Sequence, residues 1–278
     1  MEAPSNTVKR PRRYTDEREM PFLDHLEELR RRIFYSLLFV VLATIASLFF
    51  IDEIFAFLVA PYNDALRLAV EKQPAGAAEP SRLVFFTPTG GFMIYVKLAA
   101  TAGLLFSLPF VFHQLWLFVA PGLLEQEKRF VPALVFFTVL CFGLGAAFCY
   151  FIVLKFGLGF LLSFQSADLM PMISIEEYFG FVTTLIFLTG ILFEMPVIAF
   201  LLTRIGLLTP AFLRQKRPYS IIVIFVVAAV ITPTVDAFTL ILVAVPLLGL
   251  YEISIWISRL ALPAAVRKAL REAEASTS

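Results

Sequence analysis

The chain has 278 residues, of which 59% are hydrophobic, and its mean hydropathy is +0.84. A soluble globular domain of ordinary composition is excluded, because only about 45–50% of its residues are apolar. The formal net charge of +1 indicates little by itself, and no nucleic-acid partner is expected. The composition predicts an integral membrane protein in contact with the lipid bilayer.

The first predicted element is a short amphipathic helix that runs into the first membrane span. Residues 1–20 are charged and lack apolar periodicity, so a disordered cytoplasmic tail is expected there. Apolar residues then recur at helical spacing, at Phe22, Leu26, Leu29 and Ile33. Acid–base pairs at i, i+4 spacing lie on the other side of this helix: Glu27 with Arg31 and Glu28 with Arg32.

Six apolar stretches follow, and each approaches or exceeds the roughly 20 residues that cross a bilayer. They are 33–51, 89–118, 130–163, 178–203, 218–232 and 237–258. The predicted fold class is therefore an all-α membrane protein with six transmembrane helices. The membrane domain is assigned to residues 21–260, and a cytoplasmic C-terminal tail to residues 261–278.

Prolines and short spans predict the shape of this domain. In the first outer loop, the segment DEIFAFLVAP predicts an amphipathic turn that stops at Pro61. Spans five and six are predicted to be short, and together with proline kinks they suggest a curved, concave scaffold. Each of four prolines inside apolar stretches is expected to kink its helix, because proline removes a backbone donor: Pro109, Pro132, Pro196 and Pro246.

Basic residues predict the orientation of the chain. Lys and Arg cluster before the first span, in the second and fourth hydrophilic connections, and after the last span. The intervening loops are poor in both residue types. By the positive-inside rule, both termini are predicted to be cytoplasmic.

Glu194 is the most informative single residue, because it lies in the middle of the apolar run TTLIFLTGILFEMPVIAFLL. An acid at that depth costs about 2.5 kcal/mol or more on membrane-insertion scales. Glu194 is therefore expected to face a polar cavity, a partner chain or a functional groove. The alternative is a buried, hydrogen-bonded acid that holds helices together.

Other chemistry is not indicated by the sequence. The two histidines, His25 and His113, have no companion at metal-ligand spacing, and the chain has no phosphate-binding loop of the GxxxxGK type. Cys141 and Cys149 are interpreted as apolar packing residues that do not bridge each other. We expect no metal, no cofactor and no enzymatic activity.

Five segments closely resemble those of the TatC family, the multispanning subunit of the twin-arginine protein translocase. The resemblance covers about residues 20 to 260, with the motifs in the same order. The segments are HLEELRRRI at 25–33, QLWLFVAPGLLEQEKR at 114–129, FEMPV at 193–197, KRPY at 216–219 and ITPTVDAF at 231–238.

The resemblance implies a function. The family binds the signal peptides of folded proteins and starts their export across the bacterial cytoplasmic (inner) membrane, driven by the proton-motive force. The implied signal-peptide residues are Glu28, Glu127, Arg30 and Phe118. Two carboxylates suit a pair of arginines, because each guanidinium fork can take a carboxylate bidentately.

Further roles are implied by the same resemblance. Glu194 and Pro196 match the intramembrane groove where the single-span partners TatA and TatB dock. A homo-oligomer is expected in the working complex. Four other positions are assigned a structural or uncertain role: Pro61, Phe92, Lys97 and Asp236.

Two other interpretations remain open from the residues alone. A proton-coupled small-solute secondary transporter could use Glu194 as a proton relay, although such proteins usually show paired internal repeats, and none is found here. An intramembrane enzyme would need a second catalytic polar group at the depth of Glu194.

Overall fold

Helices account for nearly all of the structure. It is a computed structural model that describes residues 22–71, 83–122, 128–162, 172–232 and 237–262, with side chains for all of these except 22–23 and 68–71. Within those ranges, the extended structure is a single bridge between Val84 and Ser174. The all-α prediction is confirmed. The predicted tails lie outside the described residues, apart from Ala261 and Leu262.

The helices follow the apolar stretches of the sequence. They are α1 Phe22–Leu48, α2 Ile51–Glu71, α3 Gly90–Val119, α4 Val131–Phe148, α5 Leu154–Leu162, α6 Ile175–Leu192, α7 Met195–Arg204, α8 Pro210–Gln215, α9 Arg217–Ile231 and α10 Ala237–Ala261. A 3-10 turn, Ala120–Gly122, ends α3, and a π-helical turn, Cys149–Val153, joins α4 to α5.

Five segments are long and apolar enough to cross a membrane: Asp24–Leu48, Gly90–Gly122, Val131–Leu162, Ile175–Arg204 and Ala237–Ala261. The sixth apolar helix, α9, has 15 residues, in agreement with the short fifth span. The count of six spans, the orientation of the termini and the curvature of the scaffold stay predictions.

The predicted short sixth span is wrong with respect to helix length. Helix α10 has 25 residues, or about 37 Å at 1.5 Å per residue. It continues past Glu252, the first charged residue within the stretch 237–258. Glu252 accepts a hydrogen bond from Arg217 at the start of α9, at 2.5 Å. Glu252 therefore lies within α10 and forms an ion pair with Arg217 of α9.

The prolines act in two different ways. Pro109 and Pro246 lie inside α3 and α10, as the kink prediction requires. Pro132 lies in the first turn of α4, where a missing N–H costs no helical hydrogen bond, so the prediction of a kink there is wrong. Pro196 lies in the first turn of α7, directly after a break in the span at Phe193 and Glu194.

Helix α2 does not stop at Pro61, which corrects the sequence prediction. Pro61 is buried in the middle of α2 and has no N–H to donate to the carbonyl of Phe57, four residues earlier. The hydroxyl of Tyr150 donates to that carbonyl at 2.6 Å, and the hydroxyl of Tyr178 donates to the carbonyl of Leu58 at 2.7 Å. These side chains from neighbouring segments stabilise α2 as one continuous helix.

We predict that Tyr150→Phe lowers the free energy of unfolding by about 0.5–1.5 kcal/mol, because the Phe57 carbonyl loses its donor. Denaturant unfolding in detergent micelles measures the loss, with the exposed Tyr35→Phe as the matched control. In a Pro61→Ala background the restored backbone N–H should reduce the cost of Tyr150→Phe. An equal cost in both backgrounds would contradict this role of Tyr150.

Close helix contacts fix the relative positions of the spans. A Cβ atom added at Gly103 of α3 would lie 2.5 Å from the backbone N and Cα of Thr44 in α1. A Cβ atom at Gly145 of α4 would lie 2.8 Å from the carbonyl oxygen of Thr189 in α6. The main apolar core lies between α2, the start of α3, the π-helical turn, α5, α6, α9 and α10.

Two faces of the molecule follow from the helix order. The start of α1 lies against the end of α3, because the His25 and Phe118 rings stack with centroids 4.5 Å apart. This is called the Glu28 face. Helix α2 lies at the other end with the starts of α3 and α6, since the ring of Phe55 lies 6.0 Å from that of Tyr95 and 5.5 Å from that of Phe179, centroid to centroid. This is called the α2 face.

Candidate functional site

The first candidate site is a polar cluster on the Glu28 face. Glu28 forms an ion pair with Arg32, with Nη2 and Oε1 3.0 Å apart. Arg32 also donates through Nη1 to the side-chain oxygen of Gln114 at 3.2 Å, which connects α1 to α3. The side chain of Glu28 is only 11% exposed and that of Arg32 is 21% exposed. The predicted i, i+4 pair of Glu28 and Arg32 is therefore confirmed.

The other predicted pair is not formed. Glu27 and Arg31 are both exposed, and no ion pair joins them in the described part of the chain. The difference arises from α3, which covers Glu28 and Arg32 and leaves Glu27 and Arg31 in contact with solvent. Arg30 is also exposed. Only one acid of this helix is therefore held in a fixed, partly desolvated position.

An aromatic pair borders this cluster. Phe118 stacks on His25 with an interplanar angle of 16°, and both rings are half-buried. His25 lies three residues before Glu28, which places both on one side of α1. Phe118, predicted as a signal-peptide residue, is thus brought next to Glu28. Glu127, the other predicted acid, lies outside the described residues, and so does Asp236.

Within the cluster, the carboxylate of Glu28 already binds the guanidinium of Arg32. An ionised carboxylate has about four acceptor positions on two oxygens. One oxygen of Glu28 is engaged by Arg32, and Nε of Arg32 is buried without a partner in the described structure. A second guanidinium would therefore share Glu28 with Arg32 or displace it. Either event is compatible with binding of an arginine-containing segment.

The second candidate site is centred on Glu194, at the break between α6 and α7. Glu194 is only 8% exposed and packs against α4, where its polar neighbours are the Thr138 hydroxyl and the Phe142 backbone. Its Oε1 is buried and has no hydrogen-bond partner among the described residues. Thr138 in turn accepts a hydrogen bond from the indole N–H of Trp116 at 3.0 Å. Trp116, Thr138 and Glu194 thus connect α3, α4 and the α6–α7 break.

This geometry bears on the two interpretations of Glu194. The carboxylate is directed at α4, which is the arrangement of an acid that holds helices together. The surface beside it is nevertheless open, because Ile191 is 57% exposed and Ile198 is 50% exposed. Pro196 is buried at the start of α7. The structure therefore places an incompletely satisfied acid directly beneath an apolar surface.

The remaining predicted residues lie near the α2 face. Pro61 is buried in α2, as described above. Phe92 is 68% exposed in the first turns of α3, and Lys97 is exposed one and a half turns further on. In the described part of the chain, no group of three or more His, Cys, Asp or Glu residues could hold a metal ion.

Several residues of both sites were missed from the sequence. Arg32 was assigned only as a helix partner, and Gln114, Trp116 and Thr138 were not singled out. A usable signal exists for Gln114, because it lies four residues before Phe118 and so shares a face of α3 with it. For Thr138 no local pattern distinguishes a buried hydroxyl next to Glu194 from any other threonine in an apolar span.

Comparisons with known proteins decide the family. The sequence model of the family described as "Sec-independent protein translocase protein (TatC)" matches residues 24–246. The chain belongs to the TatC family. A TatC protein of Koribacter versatilis (strain Ellin345) is 39% identical over 255 residues, which cover 92% of this chain and 90% of the relative. A TatC protein of Helicobacter pylori (strain J99) is 38% identical over 240 residues, covering 86% and 89%.

Solved structures agree with this assignment. A crystal structure of the twin-arginine translocase receptor TatC matches with a TM-score of 0.68 and 35% identity, covering 85% of this chain and 99% of that one. A second crystal structure of that receptor, in DDM, matches with a TM-score of 0.69. The chain is thus a multi-pass membrane protein of a translocase family. These relatives support the translocase interpretation over the small-solute transporter.

Proposed function

We propose that this TatC protein is the signal-peptide receptor and core scaffold of a twin-arginine translocase, which exports folded proteins across the bacterial inner membrane. The observation that carries the proposal is the contact of Glu28, Arg32 and Gln114 on the Glu28 face. It shows that this part of the chain holds a guanidinium against a partly desolvated carboxylate. Charge-assisted bonds of this kind contribute about 1.5–3 kcal/mol.

The site includes Glu28, Phe118 and Arg30, and Glu127 is proposed as the second acid that receives the arginine pair. The stacked ring of Phe118 gives the incoming peptide an apolar wall next to the charged group. Energy for transport comes from the proton-motive force, and the chain itself has no catalytic activity and needs no cofactor. Both termini are cytoplasmic, and the working complex holds several copies of the chain.

The surface beside Glu194 is proposed as the docking groove for the single-span partners TatA and TatB. An apolar helix fits the exposed Ile191 and Ile198, because packing is the main attraction between helices in lipid. A partner carrying a hydroxyl or amide group could satisfy Oε1 of Glu194, which has no partner among the described residues. Pro196 has no backbone N–H, so the helical hydrogen bonds do not run continuously from α6 into α7 and the break is maintained.

Site-specific photocrosslinking tests both assignments. A photoreactive residue at exposed Glu27, next to Glu28, is expected to crosslink to a twin-arginine signal peptide and at least tenfold less to the same peptide with two lysines. A photoreactive residue at Ile191 should crosslink to a single-span partner. Ile222, which is 63% exposed on α9, is the control position. Equal crosslinking of both peptides at position 27 would contradict the receptor assignment.

A further inference from the structure

An apolar pocket with a volume of about 680 Å³ lies beneath α2 and is not used by either candidate site. It is walled by α2, α3, α4, the π-helical turn and α6, with Leu105, Ala147 and Ile186 among its lining residues. Its rim carries aromatic rings that remain open to the surroundings, since Phe106 is 65% exposed and Phe151 is 64% exposed. The pocket is therefore accessible from the lipid side of the helices.

A smaller pocket of about 390 Å³ adjoins it and, unlike the first, has both a basic and an acidic side chain in a largely apolar lining. It lies between α3 and α6 and is lined by Lys97, Glu176 and Thr184. Thr101 and Thr183 line both pockets, so the two form one continuous groove. In the described part of the chain, neither Lys97 nor Glu176 has an ion-pair partner.

The groove has charged side chains at one end and an apolar lining at the other, as a lipid has a headgroup and an acyl chain. Its polar end lies at the α2 face, because Glu176 is in the first turn of α6. Its apolar end extends inward to Leu105, eight residues beyond Lys97, or about 12 Å along α3. This length is close to the roughly 15 Å that one leaflet contributes to the hydrocarbon core.

The lining of the apolar pocket suits an acyl chain. Its walls come from five segments of the chain and include Phe57, Phe106 and Phe151. An extended, flexible hydrocarbon chain fits an irregular apolar space of about 680 Å³.

The charges favour a particular headgroup. Lys97 can bind a phosphate, and Glu176 can bind an ammonium group at the same end of the groove. Glu53, in the first turn of α2, adds a second acid at the rim of the apolar pocket. Lys97 and Glu176 together suit a headgroup that carries a cation as well as a phosphate.

We propose that this groove binds one zwitterionic phospholipid with a primary amine, its headgroup between Lys97 and Glu176 and an acyl chain in the apolar pocket beneath α2. The bound lipid fills the space between α2 and the spans and holds α2 in place. The proposal does not depend on the signal-peptide site, which lies on the opposite face.

Native mass spectrometry of the full chain released from nanodiscs tests this site. The nanodiscs contain equal amounts of phosphatidylethanolamine, phosphatidylcholine and phosphatidylglycerol. Phosphatidylethanolamine is expected to be retained at least about tenfold more than either other lipid. Lys97→Gln and Glu176→Gln should each remove that preference, because each deletes one charge contact. Ala147→Phe should sharply reduce retention of all three lipids, since the added ring narrows the apolar pocket.

Two control variants test whether the loss of lipid is specific to the groove. Lys155→Gln and Ala133→Phe change an exposed lysine and an exposed alanine that line neither pocket, and both variants should retain the lipid. A diazirine-labelled acyl chain should crosslink to residues around position 147 in the wild-type chain and in both control variants, and much less in Ala147→Phe. Equal retention of the three lipids, a preference for phosphatidylglycerol, or retention unchanged by Ala147→Phe would each overturn the proposal. Crosslinking of Ala147 to a protein partner in place of lipid would overturn it as well.

Discussion

Replacing Glu28 with glutamine is expected to weaken the binding of twin-arginine signal peptides by about tenfold or more. The amide keeps the shape of the side chain and removes the charge that a guanidinium needs, and such charge-assisted bonds contribute about 1.5–3 kcal/mol. Because Glu28 is only 11% exposed, water replaces the lost interaction poorly. Fluorescence anisotropy with a labelled signal peptide and the chain in detergent measures the affinity.

Two further variants separate binding from stability. Glu27→Gln is the matched control, since Glu27 is the adjacent acid but is exposed and unpaired within the described structure, and this variant should bind as the wild type does. Glu28→Gln also leaves Arg32 without its counter-charge, which can destabilise the cluster. The double variant Glu28→Gln/Arg32→Gln removes that unpaired charge. It should recover stability but not peptide binding, and recovered binding would refute the assignment of Glu28.

The positions of the apolar helices along the chain were largely predictable, because they depend on local composition. The apolar stretches 89–118 and 130–163 coincide closely with Gly90–Gly122 and Val131–Leu162, since bilayer thickness sets the length of an apolar helix. Local pairing was also predictable where it depends on helical spacing, as for Glu28 and Arg32.

Features that depend on contacts between distant segments were not predictable. The sequence predicted that α2 ends at Pro61, because proline normally ends a helix. Tyr150 and Tyr178 instead donate hydrogen bonds to carbonyls of α2 from 93 and 120 positions away along the chain. The contact of Arg32 with Gln114 joins residues 82 positions apart. No sequence pattern near Arg32 or Gln114 predicts this contact. The same limit applies to Thr138, whose role depends on the packing of α4 against the α6–α7 break.

Gly103→Ala is expected to have the largest effect on the fold, because it forces α1 and α3 apart. The added Cβ would lie 2.5 Å from the backbone N and Cα of Thr44, and backbone atoms cannot move aside as a flexible side chain does. Overpacking typically costs about 1–3 kcal/mol, and a clash with backbone should cost at least that much. The Glu28 cluster spans the same two helices, so peptide binding should fall together with stability.

The control for this variant is Gly143→Ala on α4, where an added Cβ has no neighbour within 4 Å. Since alanine favours a helix over glycine by up to about 1 kcal/mol, Gly143→Ala should be at least as stable as the wild type. Thermal unfolding in detergent and peptide anisotropy on both variants give the comparison. If Gly103→Ala unfolds at the temperature of Gly143→Ala, the close contact of α1 with α3 does not hold the helices in register. If Gly103→Ala is destabilised but keeps full peptide affinity, Glu28 acts without its contacts to α3, and the cluster with Gln114 and Phe118 is not the receptor site.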